Sequence, residues 1–484
     1  MTADKEPEGQ ADTESRLEEL TGRGDTIPLR VLILPAVVLT LLSLTYSYCI
    51  PLGYGPDEPR HYAFVRLLWV GHQLSRVMPD GSELGNAIAI HPPTYYLVEG
   101  LLWYPGHWLG QALAPYAREG LLRRLILGAE PAWVPDHLLA EAFTYRLMRL
   151  TSPLWGLATL ALVFLALRRL WPTLPRLVLG VTWLIALWPH MLMNFGTITN
   201  DCGANFGGAL FVWYWACRAP RTTGDWRHAA WAGAIVGLGA MLKGQLLLCL
   251  TPVMIVGLAW PYGWRFWSEG NFWRQVFVAL LVLGVIAGPW YGRNLLLYGQ
   301  INYVAPGYAP IPQGMSFLDA VLTGLVGQIL LATASGLFRS LWAQVGWFPD
   351  ALAPLLYASL GILTGAAVIG LALGVAAWHK SHSSLSLERS RALAMLFLPY
   401  PLILLLNIYV VLFVHFGTHQ GARYHLFALP GLSTALVWGW LKLPRGSWVL
   451  VAALALFVVL NAVSVTNILT YLNPTYGTSV LIGQ

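Results

Sequence analysis

The stretch "LRVLILPAVVLTLLSLTYSYCIPLGYGPDEPRHY" spans residues 29–62. Residues 29–50 are almost wholly apolar, and about 20 such residues suffice for a helix to cross a bilayer. Directly after them come Asp57, Glu58, Arg60 and His61. Charge beside hydrocarbon is expensive unless it faces water, a cavity or a partner, so charges at such places are functional candidates.

The composition extends the first half of that reading to the whole chain. Of 484 residues, 56% are hydrophobic and 11% charged, with a mean hydropathy of +0.58. Soluble domains carry about 25% charged residues. The 23 Trp and 21 Tyr suit the interfacial belts of a membrane protein. Apolar length marks about 11 transmembrane helices, near 29–50, 149–168, 177–196, 202–218, 229–242, 245–261, 275–292, 351–378, 394–415, 424–441 and 446–467. A single helix through 229–261 would strand Lys243 in mid-membrane, so one span or two stays open there. The expected fold is an all-α polytopic membrane protein. Residues 1–28 read as a disordered cytoplasmic tail, 29–467 as the transmembrane domain and 468–484 as an extracytoplasmic tail.

Orientation follows from the short loops. With the N terminus inside, they carry Arg168, Arg169 and Arg176, then Arg218, Arg221 and Arg227, then Arg265 and Arg274. Lys380, Arg389 and Arg391, and finally Lys442 and Arg445, continue the pattern. The net charge of +6 is thereby distributed as positive-inside loops and gives no nucleic-acid signal. Cys49, Cys202, Cys217 and Cys249 lie in apolar runs with no ligand spacing and read as packing residues. The outside receives a long first loop, 51–148, with amphipathic juxtamembrane pieces at 61–74 and 92–110, and a second loop at 293–350.

This topology gathers Asp57, Glu58, His61, His91, Asp201, Lys243, Arg293, Arg339, His419, Arg423 and His425 on the outer face. Lys243, Arg293 and Arg423 run against the positive-inside trend, and binding an anion is the simplest reason for them. Plainer readings stand beside this one. Asp57-Glu58-Pro59 has the form of an ordinary helix start, and Asn200-Asp201 of another. His61 and His91 suit an interface, and Lys243 can snorkel. Convergence favours chemistry: carboxylates to act as a general base and cations to hold a phosphate leaving group.

An ordered set of motifs resembles the GT-C-type membrane glycosyltransferases, the superfamily of the protein O-mannosyltransferases and the lipid A aminoarabinose transferase. It comprises "GPDEPRHYAFVRLLWVGHQL" (55–74), "HPPTYYL" (91–97), "WPHMLMNFGTITNDCGAN" (188–205), "GAMLKGQ" (239–245), "GPWYGRNLLLYG" (288–299), "FRSLWAQVGWF" (338–348) and "QGARYHLFALP" (420–430). In the last motif Ala422 interrupts the Gln-Gly-Arg-Tyr pattern of the family. The resemblance implies a polyprenyl-phosphate-linked sugar as donor and transfer to a glycan, lipid or protein acceptor on the extracytoplasmic side of the cell membrane. It implies Asp57 as catalytic carboxylate with Glu58 as neighbour, and Asp201 as the second acidic site. Lys243, Arg293 and Arg423 would hold the donor phosphate, with His61, His91, Asn200 and Tyr424 as orienting groups. Asp57 and Asp201 would also suit Mg²⁺ or Mn²⁺. A transporter of an anionic lipid or an accessory membrane protein is the alternative. The topology is directly testable. A reporter fused after residue 225 is expected in the cytoplasm and one near 310 outside; the reverse would overturn the one-face argument.

Overall fold

A computed structural model describes residues 27–78, 80–117, 119–128, 136–219, 224–301, 315–343, 352–380, 386–414 and 421–472. Every regular element in them is helical, apart from an isolated bridge between Val77 and Glu83. The first long helix, α1 (Ile33–Cys49), leads into the first loop, which holds α2 (Glu58–Trp69), α3 (Thr94–Glu99), α4 (Trp103–Leu113) and α5 (Gly120–Leu127). Then follow α6 (Leu139–Met148), α7 (Thr151–Leu170), α8 (Pro175–Ala186), α9 (Pro189–Asn194) and α10 (Asp201–Cys217). The middle of the chain forms α11 (Trp226–Leu242), α12 (Gly244–Ala259) and α13 (Gly270–Tyr298). The remainder is α14 (Phe317–Leu322), α15 (Leu325–Ala343), α16 (Pro354–Lys380), α17 (Leu387–Phe397), α18 (Pro399–Tyr409), α19 (Leu429–Lys442) and α20 (Gly446–Asn467).

Among the described residues, eight helices are long and apolar enough to cross a membrane. Seven of them bury 39% or less of their most apolar window within the protein, so most of that surface is left for lipid. Large apolar side chains such as Leu296 and Trp264 accordingly stand exposed. Four of the segments expected as spans are shorter. Helices α10 and α11 have 17 residues each, α19 has 14 and α8 has 12. The expected span at 177–196 ends early because Pro189 opens a separate helix after the bend at Leu187–Trp188. Between α11 and α12, Lys243 takes an extended conformation and breaks the run, so the cation sits in a turn instead of mid-helix.

The segment 293–350, expected as an outer loop, contains the 19-residue helix α15. It is the least apolar of the eight long helices, diluted by Gln, Thr and Ser, which is why apolar length alone passes over it. Its first turns pack on Ile408, Val411 and Leu412. Near its other end the Leu341 carbonyl accepts the Trp188 indole N–H (2.6 Å), and Ser340 Oγ accepts the Ala422 backbone N–H (3.0 Å). The tail residues 1–26 and 473–484 lie outside the described residues; 468–472 continue the last helix.

Small residues let the helices approach closely, the usual device where lipid supplies no hydrophobic contrast between helices. At the α16–α19 crossing, a Cβ on Gly370 would run into the Gly439 carbonyl oxygen, and one on Gly439 into that of Ala367. Overpacking such a contact typically costs about 1–3 kcal/mol. Gly370→Leu is therefore expected to lower the thermal midpoint in detergent by several degrees; an unchanged midpoint would contradict the crossing.

Candidate active site

Helix α2 begins in the "GPDEP" turn, with Pro59 in its first turn, where a missing N–H is harmless. Asp57 precedes it in the left-handed region at φ 57°, ψ 14°, a conformation that Asp and Asn tolerate better than most residues. Its side chain makes no cap to the helix. Instead Arg423 Nη2 donates to Asp57 Oδ2 at 3.0 Å, across the length of the chain. Of its side chain, 23% remains exposed, which leaves the carboxylate open to a ligand.

Glu58, one residue on, is held in a different way. It is fully buried, and both oxygens take the Arg149 guanidinium, at 2.8 Å from Nε and 2.7 Å from Nη2. The backbone N–H groups of Gly55 (2.8 Å) and Ile198 (2.9 Å) fill its remaining acceptor sites. The remaining donors of Arg149 go to the carbonyls of Ser47, Ile50 and Pro51. Glu58 thus has no open face toward a substrate. Gly55 is required here, because a Cβ would stand 2.8 Å from Thr197 Cβ and 2.9 Å from Glu58 Oε2.

Asp201 starts α10 and is buried. Its Oδ1 pairs with the Lys243 ammonium, and its Oδ2 accepts from Thr199 Oγ1 at 3.1 Å. Lys243 stands 4.7 Å from the ring centre of Tyr424, and the Arg423 guanidinium 4.9 Å from the same ring. Arg423 also donates to the Tyr424 hydroxyl at 3.0 Å. Gln245 Nε2 holds the Tyr424 carbonyl at 3.0 Å.

Beside this charged group lies a neutral one. The Tyr96 hydroxyl meets His61 Nδ1 and His91 Nδ1, each at 2.8 Å, and Asn200 Nδ2 meets His91 Nδ1 at 3.2 Å. Burial pushes His61 down to about 3 and His91 well below the usual imidazole range, so both rings are uncharged at neutral pH. The Tyr96 hydroxyl has one proton to give, so one of the two rings accepts it and the other donates to the hydroxyl oxygen.

The structure therefore brings Asp57, His61, His91, Asn200, Asp201, Lys243, Arg423 and Tyr424 together. Arg293 is engaged elsewhere. It donates to the Ser75 carbonyl (2.7 Å) and Asn294 Oδ1 (3.1 Å) and stacks on Trp290, pinning the first loop to the end of α13. Arg149 and Tyr96 are central yet absent from the sequence-derived candidates. The signal for Arg149 was present: with Arg146 it is another pair of cations at an outer span end. Glu99 is a further buried acid, held by Thr151 and Trp155 and pushed up to about 7 by burial.

A divalent ion does not fit these donors. Asp57 and Asp201 each already neutralise a cation, and among the described residues no group of three or more His, Cys, Asp or Glu side chains converges.

Next to Arg423, an apolar groove of about 270 Å³ begins at Ala422 and His425. It runs between α15, α16, α18 and α19, past Phe338, Tyr400, Leu404 and Leu432. Arg423 lies between Ala422 and His425 in sequence but does not itself line the groove.

No protein-family model matches this sequence, and no curated protein matches it. Among solved structures the chain is similar to ArnT from Cupriavidus metallidurans bound to undecaprenyl phosphate. The identity is 15% over 89% of this chain and 77% of that one, with a TM-score of 0.38. The apo state of ArnT gives 16% identity over 90% and 77%, again with a TM-score of 0.38. A superposition that loose transfers no residue role.

The buried Glu58–Arg149 pair makes its own prediction. Removing one partner of such a pair costs about 3–5 kcal/mol, because the other charge is left uncompensated. Arg149→Met and Glu58→Gln should each collapse thermal stability in detergent; a midpoint within a few degrees of wild type would remove the structural role.

Proposed function

We propose that the protein is a membrane glycosyltransferase that moves a sugar from a polyprenyl-phosphate carrier to an acceptor hydroxyl or amine at the extracytoplasmic surface. The observation that supports this reading is that the chain neighbours of a cation line an apolar groove. With an anionic head held at Arg423, the groove lined by Ala422 and His425 would take the first isoprene units of the tail. A lipid phosphate has both parts in that order.

The roles follow from exposure and partnership. Asp57 is the open carboxylate of the two, so it is the general base: it takes the proton of the acceptor as the acceptor oxygen or nitrogen attacks the anomeric carbon. The bond from that carbon to the phosphate oxygen breaks, and the lipid phosphate departs as a dianion. Arg423, released from part of its pairing with Asp57 when the carboxylate is protonated, strengthens its hold on the phosphate at the moment its charge grows. Lys243 supports Arg423 from the other contact with the Tyr424 ring, and Asp201 fixes Lys243. Of the uncharged His61–Tyr96–His91 group, half-buried His91 would be the member to orient a sugar hydroxyl, with buried His61 and Tyr96 fixing its ring. Glu58 is a positioning residue that sets where Asp57 stands. Arg293 acts at a distance, by holding the first loop.

Asp57→Asn is the clean test, because Asn tolerates the same left-handed backbone and removes only the charge. Transfer from a polyprenyl-phosphate sugar is expected to fall by about 10²–10⁴ with expression and thermal midpoint preserved. Near-wild-type turnover in that variant would overturn the assignment.

A further inference from the structure

A second groove lies far from the carboxylates, between α10 and α11 at the end where α11 begins. Its volume is about 620 Å³, more than twice that of the groove beside Arg423. Leu210, Trp231, Ile235 and Leu238 line its length, and Arg218, Arg227 and His228 line its mouth. Helix α11 runs from this mouth to Lys243, and its 17 residues rise about 25 Å at ~1.5 Å per residue. The groove therefore opens toward the opposite membrane face from the candidate active site.

Three independent features describe what it would hold. The first is charge. Arg218 and Arg227 are exposed, and each rests against a tryptophan ring, Trp213 and Trp226 respectively. Neither pairs with a carboxylate among the described residues. Asp225 also lines the mouth, where its Oδ1 accepts the Arg227 backbone N–H at 2.9 Å as the cap of α11. The lining carries two guanidiniums and one carboxylate, and Arg274 adds a further cation at this end, a positive surplus suited to a phosphodiester. The second is an unsatisfied acceptor. His228 is 4% exposed, its Nδ1 meets the Tyr214 hydroxyl at 2.6 Å, and its Nε2 has no partner. The Tyr214 hydroxyl gives its one proton to the His228 carbonyl at 3.0 Å, so Nδ1–H donates to that hydroxyl and Nε2 presents a lone pair. The third is depth. Trp226, Trp264, Trp267 and Trp273 are exposed around this end, and Arg274 donates to the Gly224 carbonyl at 3.0 Å, tying α13 beside α11. Such a tryptophan collar marks headgroup level, and basic pockets between membrane helices at that level suit lipid phosphates.

We propose that this groove is a seat for an anionic diacyl phospholipid of the cytoplasmic leaflet, distinct from the donor lipid. Its phosphodiester lies between Arg218 and Arg227, a headgroup hydroxyl donates to His228 Nε2, and one acyl chain fills the apolar length toward Leu238.

The test uses the full chain purified into phosphatidylcholine nanodiscs containing equimolar phosphatidylglycerol. Native mass spectrometry then counts the lipids retained after release. Phosphatidylglycerol is expected to be retained about tenfold over phosphatidylcholine, and R218Q/R227Q to bring that ratio to about one. Equal retention of the two lipids by the wild type, or an unchanged ratio in the double variant, would overturn the proposal. Should the double variant fail to fold, Ala234→Phe fills the groove without touching the charges. It should abolish the preference likewise, and an unaltered ratio there would be equally fatal.

Discussion

The site depends on one buried ion pair. Arg149 spends all five of its N–H donors, two on Glu58 and three on the carbonyls of Ser47, Ile50 and Pro51. Glu58 accepts two further backbone N–H groups, from Gly55 and Ile198. A half-satisfied pair would be worse than an apolar contact at that depth, whereas a completed one specifies a single arrangement. Four pieces of chain meet there: the end of α1, the turn before α2, the start of α7 and the turn before α10. Asp57 is the neighbour of Glu58 and Asp201 follows Ile198 by three residues. The relative position of the two carboxylates is therefore set by a pair that belongs to neither.

Above that anchor the charges are arranged as two neutral couples, Asp57 with Arg423 and Asp201 with Lys243, sharing the Tyr424 ring. The couples differ in what they can do. The Asp201 side chain is 1% exposed and its couple is closed, which makes it a support. The Asp57 couple is open to the outside of the cluster. On the proposed function, an arriving phosphate would share Arg423 with Asp57, leaving the carboxylate to take up a proton. Burial leaves the adjacent histidines uncharged across the physiological range.

Much of this was legible from residue type and place. Apolar length marked the helical membrane architecture, and their departure from the positive-inside trend singled out Lys243 and Arg423, which the structure pairs with Asp201 and Asp57. The adjacent Asp57 and Glu58 could not be told apart in sequence, because what separates them is a left-handed backbone and an arginine 91 residues away. Arg293 carried the same signature as Arg423, yet its guanidinium is taken up by a backbone carbonyl, a partner that no side-chain pattern announces. Helix α15 escaped for a related reason. Its polar residues dilute the apolar signal, and its position depends on contacts made by Ser340 and Leu341 with distant segments.

The shortness of α8, α10, α11 and α19 has a consequence for the lipid around them. Twelve to 17 residues rise only about 18–25 Å, against a hydrocarbon core of about 30 Å. The long helices α13, α16 and α20 have no such deficit. Where lipid meets the short helices, a bilayer answers such a mismatch by thinning. The membrane surface would dip there, and lipid headgroups would descend with it. A carrier phosphate diffusing in the leaflet would reach the depth of Arg423 by following that depression, with no need to be drawn out of the membrane.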